Sequence, residues 1–437
     1  MNRRPRQKYR AGCEQLEDRR LLSVLTPAQV RQAYGMDAIN FTANGQTIGG
    51  SGTGQTMAVI GAFHNLFLTT ELSTFDARFG LPDPALTQVN LAGARTDTGW
   101  AEEEAMDVEW CHVMAPGASI IAVEAASDST SDMMNAVNLA RQLPGVSVVT
   151  MSWGGGEFRG QGNYNSFFTT PAGHNGVTFV TASGDYGSKY GANWPATSPN
   201  VVAVGGTTLS VDAMGNILSE TAWAGSGGGL SARTARPGYQ AGIQRSGRRS
   251  NPDVSMVADP STGVPVLVMT PSTGQAYWGI YGGTSLSTQL FGGLVAVANQ
   301  GRALAGLGTL DGPTQTLPLL YSVSSADYRD VTAGSNGYRA TRGYDLATGL
   351  GSPWGPSLVS DLTNPNIQAT LRSLPSRIRG RTSARSVARL RLAAPPMHVT
   401  INRLTVATDA DSRFLVAARF GSAVESRFHH ALSRQPG

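Results

Sequence analysis

GVTFVTASGDYG, residues 176–187, reads as a buried strand that runs into a loop carrying a carboxylate. From Val177 to Thr181 the residues are apolar, β-branched or aromatic, without the alternation of a strand that has one wet face. Such runs belong to parallel sheets covered on both sides. Outward from it, TMAVIGAF (56–63), SIIAVEA (119–125) and VSVVTMSW (146–153) repeat the pattern. Candidate helices lie between them, around 101–112, 129–143 and 163–175. TTELSTFDARFG (69–80) adds a helix stopped by Gly80, with Pro82 beyond it. TPAQVRQAYG (26–35) adds a short one: Thr26 caps, Pro27 suits the first turn, and Val30, Ala33 and Tyr34 share a face. Alternation at this spacing predicts an α/β fold, doubly wound, with a mostly parallel sheet and helices on both faces. A polar, glycine-rich stretch, 205–283, interrupts it, and a helix starting at Ser285 resumes it.

Composition agrees with a folded body. The chain has 437 residues, 41% hydrophobic and 15% charged, which is too apolar for disorder. Two cysteines, Cys13 and Cys111, exclude a disulfide-rich scaffold and a thiolate zinc site. No apolar run reaches membrane-spanning length. The net charge of +4 hides an uneven distribution: residues 1–20 carry +4 and residues 365–437 carry +9, so the intervening body carries −9. Specific nucleic-acid binding is therefore not expected of the body, which has no helix-turn-helix or finger spacing.

Three parts are expected. Residues 1–25 form a flexible or targeting segment; the string LEDRRLLS (16–23) resembles an N-terminal motif of exported bacterial proteins, although the apolar stretch of an ordinary secretory signal is missing. Residues 26–361 form the main domain. Residues 362–437 form a basic extension, arginine-dense at first, with a short alternating piece, MHVTINRLTVA (397–407).

GGSGTGQT (49–56) has the glycine spacing of a phosphate loop, but Gln55 replaces the lysine and the segment precedes a strand, so it reads as a turn. Six histidines occur, His64, His112, His174, His398, His429 and His430. None has metal-site spacing within the body or the order of a histidine-based serine triad. Three other places carry chemistry. In GWAEEEAMDVEW (99–110), Glu103 and Asp107 fall four apart on one helical face, about 6 Å along the axis. A solvated acidic face is the plain reading, yet Ala105, Met106 and Val108 give the helix an apolar side as well. Asp185 sits at the carboxyl end of a buried strand, where parallel sheets hold their sites, or it stabilises an Asx turn. Ser285 either caps the apolar helix after GGT, or offers a hydroxyl at that helix's positive end.

Together these places resemble one family. EEEAMDVE (102–109), SGDYG (183–187) and GGTS (282–285) are similar to the motifs of the sedolisin family of serine-carboxyl peptidases, whose fold is subtilisin-like. SWGG (152–155), ETAWAGSGGGLS (220–231), RPGYQ (236–240) and NPDVSMVADPSTG (251–263) match in consistent order. The resemblance implies that Ser285 is the nucleophile, Glu103 takes its proton, Asp107 orients Glu103 and shares the proton, and Asp185 helps form the oxyanion hole. It implies an acid-acting, serine-type peptidase, expected to be an endopeptidase, on peptide or protein substrates. Two close, desolvated carboxylates hold one proton between them, and Asp185 donates only when protonated, so acid conditions suit the set. The resemblance also implies one Ca2+ in YRDVTAGSNGYRATRGYDLATGLGSP (328–353), held by the carboxylates of Asp330 and Asp345 and the carbonyls of Val331, Thr341 and Gly343.

Two departures stand out. Gln289 replaces the proline usual four residues after the nucleophile, and only about 25 residues precede the body where the family has a long prodomain, so the expectation is that folding needs no such helper, that the prodomain is separately encoded, or that the gene start is misplaced. A secreted, extracellular or periplasmic monomer without a transmembrane segment is expected. The alternatives are a catalytically silent cell-surface or binding protein on the same fold, and a polyanion-binding protein acting through the arginine-rich tail.

Overall fold

A computed structural model describes residues 24–364 and a two-residue strand, Leu415–Val416. The expectations for the targeting segment and for nearly all of the basic extension lie outside the described residues.

The buried runs form the sheet. β1 (Thr56–Ala62), β2 (Leu86–Asn90), β3 (Ser119–Ala125), β4 (Val146–Met151), β6 (Thr178–Ala182) and β7 (Val202–Val211) lie parallel in the spatial order β7-β6-β4-β1-β3-β2. β8 (Ile217–Ala222) adds an antiparallel edge to β7, and β9 (Val254–Val257) pairs parallel with β7. Between β4 and β6, β5 (Trp153–Gly156) leaves the main sheet and pairs antiparallel with Asn193–Trp194 on one side and Leu415–Val416 on the other. Every residue of β4 and β6 is buried, as their unbroken apolar runs require.

Helices cover both faces, so the doubly wound α/β expectation holds. α1 (Pro27–Ala33) carries the expected Thr26 cap, in a capping box with Gln29. α2 (Leu68–Phe79) stops at Gly80 in the left-handed region. α3 (Thr98–Met114), α4 (Thr130–Ala140), α5 (Thr284–Leu304) and α6 (Gly355–Thr363) complete the set. One core cluster joins α3, α5 and the sheet through Met106, Trp110, Leu290, Phe291 and Val148; a second packs α4 under Ile60, Val149 and Trp153.

One expectation fails. The stretch 163–175 makes only a 3-10 turn, Gln161–Phe167, because Pro171 and Gly173 break the helical pattern. The glycine-rich stretch 205–283 interrupts the alternation as read, with strands that no α-helix separates. Besides β8 and β9 it contains Gly229–Ala235, Arg248–Asn251 and the hairpin of β10 (Val264–Met269) and β11 (Ala276–Tyr281). β11, paired on one side only, leaves Tyr277 and Ile280 exposed and lacks the unbroken burial of a core run.

Candidate active site

Three elements converge at the carboxyl ends of the parallel strands. α3 supplies Glu103 and Asp107, the loop after β6 supplies Asp185, and the first turn of α5 supplies Ser285. All four side chains are buried. The solvated acidic face read for α3 is thus wrong. The helix is enclosed nearly all round, and Glu104 and Glu109 are as buried as the pair. Tertiary packing encloses this helix, against what its own polarity suggests.

Ser285 is not a helix cap. Gly283 holds that position, at φ 109°, a conformation that favours glycine, and its N–H donates to Ala258 O at 2.5 Å. Thr284 and Ser285 are therefore the first two helical residues, with the hydroxyl at the positive end of a 21-residue helix. Ser285 Oγ has no regular hydrogen bond within the described residues, but it faces Glu103 closely enough to favour that group's charged form.

Glu103 is held well above the ordinary carboxylate range. Burial is the first cause and the Asp107 charge the second; Ser285 opposes them, while Asp185 and Glu102 add further repulsion. Asp107 is also raised by burial, against the lowering effect of Ser152 and Gln289. Ser152, just after β4, donates its hydroxyl proton to Asp107 Oδ1 at 2.8 Å, and Gln289 Nε2 donates to Ser152 Oγ at 3.0 Å.

Asp185 is fixed by Thr284. Its Oδ1 accepts from the Thr284 N–H and from the Thr284 hydroxyl, each at 2.8 Å. Gly184 N–H in turn donates to Thr284 Oγ1 at 3.0 Å. The 225–229 glycines close over this loop. A Cβ at Gly227 would lie 2.1 Å from Ser183 O, so no other residue fits there.

The histidines stand apart from these groups. His64 Nδ1 meets Glu124 at 2.6 Å, His112 Nε2 meets Pro82 O at 2.8 Å, and His174 bonds the Leu143 and Asn175 carbonyls. The sequence reading singled out all four of these side chains but missed the residues that bond to them. Ser152 was visible only as part of SWGG, Thr284 only as the residue before Ser285, and Gln289 only as a departure from the family's serine motif.

The subtilase family model matches residues 92–307, which include all four groups. The chain is 33% identical to kumamolisin of Bacillus sp. (strain MN-32) over 383 residues, 79% of this chain and 64% of that protein. A solved Pseudomonas sedolisin, a serine-carboxyl proteinase, superposes with a TM-score of 0.65 at 25% identity, covering 80% of this chain and 98% of the other. The chain belongs to the sedolisin family of serine-carboxyl peptidases. It is also 28% identical to tripeptidyl-peptidase 1 of Rattus norvegicus, over 78% of this chain and 65% of that protein. The chain thus spans just under two thirds of these curated relatives. Its subtilisin-like fold agrees with the sedolisin-family match.

Proposed function

We propose that this sedolisin-family chain is an acid-acting serine peptidase that hydrolyses peptide bonds through Ser285. The observation that carries the reading is the burial of Glu103 and Asp107 together beside the Ser285 hydroxyl. A buried pair of this kind shares one proton, so Glu103 can receive the Ser285 proton as the oxygen attacks a substrate carbonyl. Glu103 then passes that proton to the leaving amine. In deacylation it takes a proton from water, and Ser285 recovers it when the acyl bond breaks. Asp185, protonated, donates to the oxyanion, and the start of α5 adds its dipole. Asp107 stabilises the protonated form of Glu103.

Cleavage within chains is the proposed mode. A long peptide with a blocked amino terminus separates it from release of tripeptides. Cutting of the blocked peptide, with kcat/KM highest in acid between about pH 2 and pH 8, supports the reading. An optimum at neutral or alkaline pH would contradict it. The need for acid also supports our proposal of an extracytoplasmic location. Among the described residues no helix is long and apolar enough to cross a membrane.

We also propose one Ca2+ near the carboxyl end of the body. The carboxylates of Asp330 and Asp345 both hold the turn that runs from Thr341 to Asp345. Asp330 accepts from Gly343 N–H at 3.0 and 3.1 Å, and Asp345 Oδ2 accepts from Thr341 N–H at 2.7 Å. In this proposal the carbonyls of Val331, Thr341 and Gly343 would supply the other ligands, as the family resemblance implies; no group of three acidic, histidine or cysteine side chains able to hold a metal occurs among the described residues. An all-oxygen set fits a hard cation, which would neutralise the two carboxylates and hold the turn. Chelation is then expected to lower the melting temperature by several degrees, since a ligand of the folded state alone adds stability. Identical melts with and without chelator would remove calcium from the account.

A further inference from the structure

The proposal below rests on the peptidase reading and concerns Gln289, which is fully buried in the second turn of α5. Its Nε2 lies 3.0 Å from Ser152 Oγ, and Ser152 Oγ lies 2.8 Å from Asp107 Oδ1. A serine has one proton to give. The Asp107 oxygen at 2.8 Å claims it ahead of the Ser285 carbonyl at 3.5 Å. The Ser152 oxygen must therefore accept from Gln289, which sets the amide's orientation. Gln289 Oε1 is left without a hydrogen-bond partner among the described residues. A buried unpaired acceptor is destabilising, so packing stability alone would favour an apolar side chain here.

We propose that Gln289 is a positioning residue for the carboxylate pair: its amide fixes the Ser152 proton on Asp107, so that Asp107 is held as the acceptor behind Glu103. The other groups acting on the pair are Glu102, Glu104 and Cys111 on α3 and Asp185 on the loop after β6. Each of these either is negative or becomes so, and each therefore disfavours a charge on the pair. The donors that oppose them come from Ser152 and Gln289 on Asp107, and from Ser285 on Glu103. Without Gln289 the pair loses its first proton at higher pH, and the acidic limb of the rate profile moves with it.

The test compares Gln289→Met and Gln289→Glu with wild type. Methionine conserves volume and has no donor, while glutamic acid donates only when protonated. The acidic limb of kcat/KM is expected to rise by about half to one pH unit in Gln289→Met, with KM little changed. Gln289→Glu is expected to keep the wild-type acidic limb and lose activity earlier on the alkaline side. A merely structural role predicts a lowered melt and a parallel loss at every pH, and that result overturns the proposal. Infrared titration of the carboxyl bands in a Ser285→Ala background reads the same shift without turnover. Absence of Ser285-dependent peptidase activity in wild type would sink the peptidase reading. An unmoved first deprotonation in the infrared would sink the role of Gln289 by itself.

Discussion

Glu103→Gln is expected to lower kcat by about 10²–10⁴-fold while the chain stays folded. The amide has the same shape but cannot accept the Ser285 proton. Its stability effect has the opposite sign. Glu103 is raised in the folded state, first by burial and then by Asp107. In the unfolded chain a glutamate ionises at its ordinary value, so the folded state loses stability as pH rises through the raised value. Glutamine has no such loss. Melts at about pH 4 and pH 7.5 should therefore agree near the lower pH and favour the variant at the higher one. Near-wild-type turnover in Glu103→Gln would remove the carboxylate base from the mechanism.

The folded state itself should weaken strongly towards neutrality. Besides Glu103 and Asp107, α3 carries and faces more buried acids. Glu71 accepts from Met269 N–H at 2.5 Å and from Asn65 Nδ2 at 2.7 Å; Glu109 accepts from Leu267 N–H; Glu104 lies against Gly61 and feels Glu124. Burial is the first cause of the raised values in all three, and Glu71 is pushed up to about 7. Asp76 is likewise pushed up to about 7 by burial, with Asp83 adding to it. For Glu71 and Asp76 the stabilising effect is complete below the ordinary carboxylate values and is lost as pH rises through about 7; Glu104 and Glu109 act in the same direction. Glu71 alone accounts for roughly 3 kcal/mol of that loss. His112 works in the other direction. Burial lowers it to about 4, so its contribution is present above its ordinary value and is lost as pH falls through about 4. The melting temperature should therefore be highest in mild acid and fall by on the order of 10 °C by about pH 7.5. Glu71→Gln should recover part of that fall and change little in acid. A melting temperature that is flat or rising between these values would show that these acids are ionised and satisfied in the fold.

The parallel strands were legible because burial on both faces leaves a signature in each strand alone. Val146–Met151 and Thr178–Ala182 need no knowledge of their neighbours to be read. Strands such as Ala276–Tyr281 do need it, since their half-exposed faces mix tyrosine, glycine and isoleucine, and only pairing with Val264–Met269 makes them regular. Residue type and spacing marked Glu103, Asp107, Asp185 and Ser285 as candidates, and the family resemblance supplied their roles. What spacing could not give was environment. Glu104 and Glu109 look like solvent-facing charges in sequence, and they are buried because α2, β10 and the sheet close around α3. The supports were illegible for a related reason. Ser152 and Asp107 are 45 positions apart, and Ser152 and Gln289 137 apart, so no local pattern joins them.

Digestion of a protein substrate in acid by wild type beside Ser285→Ala tests the central claim most directly. Ser285 Oγ has no regular hydrogen bond among the described residues, so removing it should leave the fold and its melting temperature unchanged. The account predicts digestion by wild type and none above background by the variant. Digestion by the variant at a rate near wild type would contradict it.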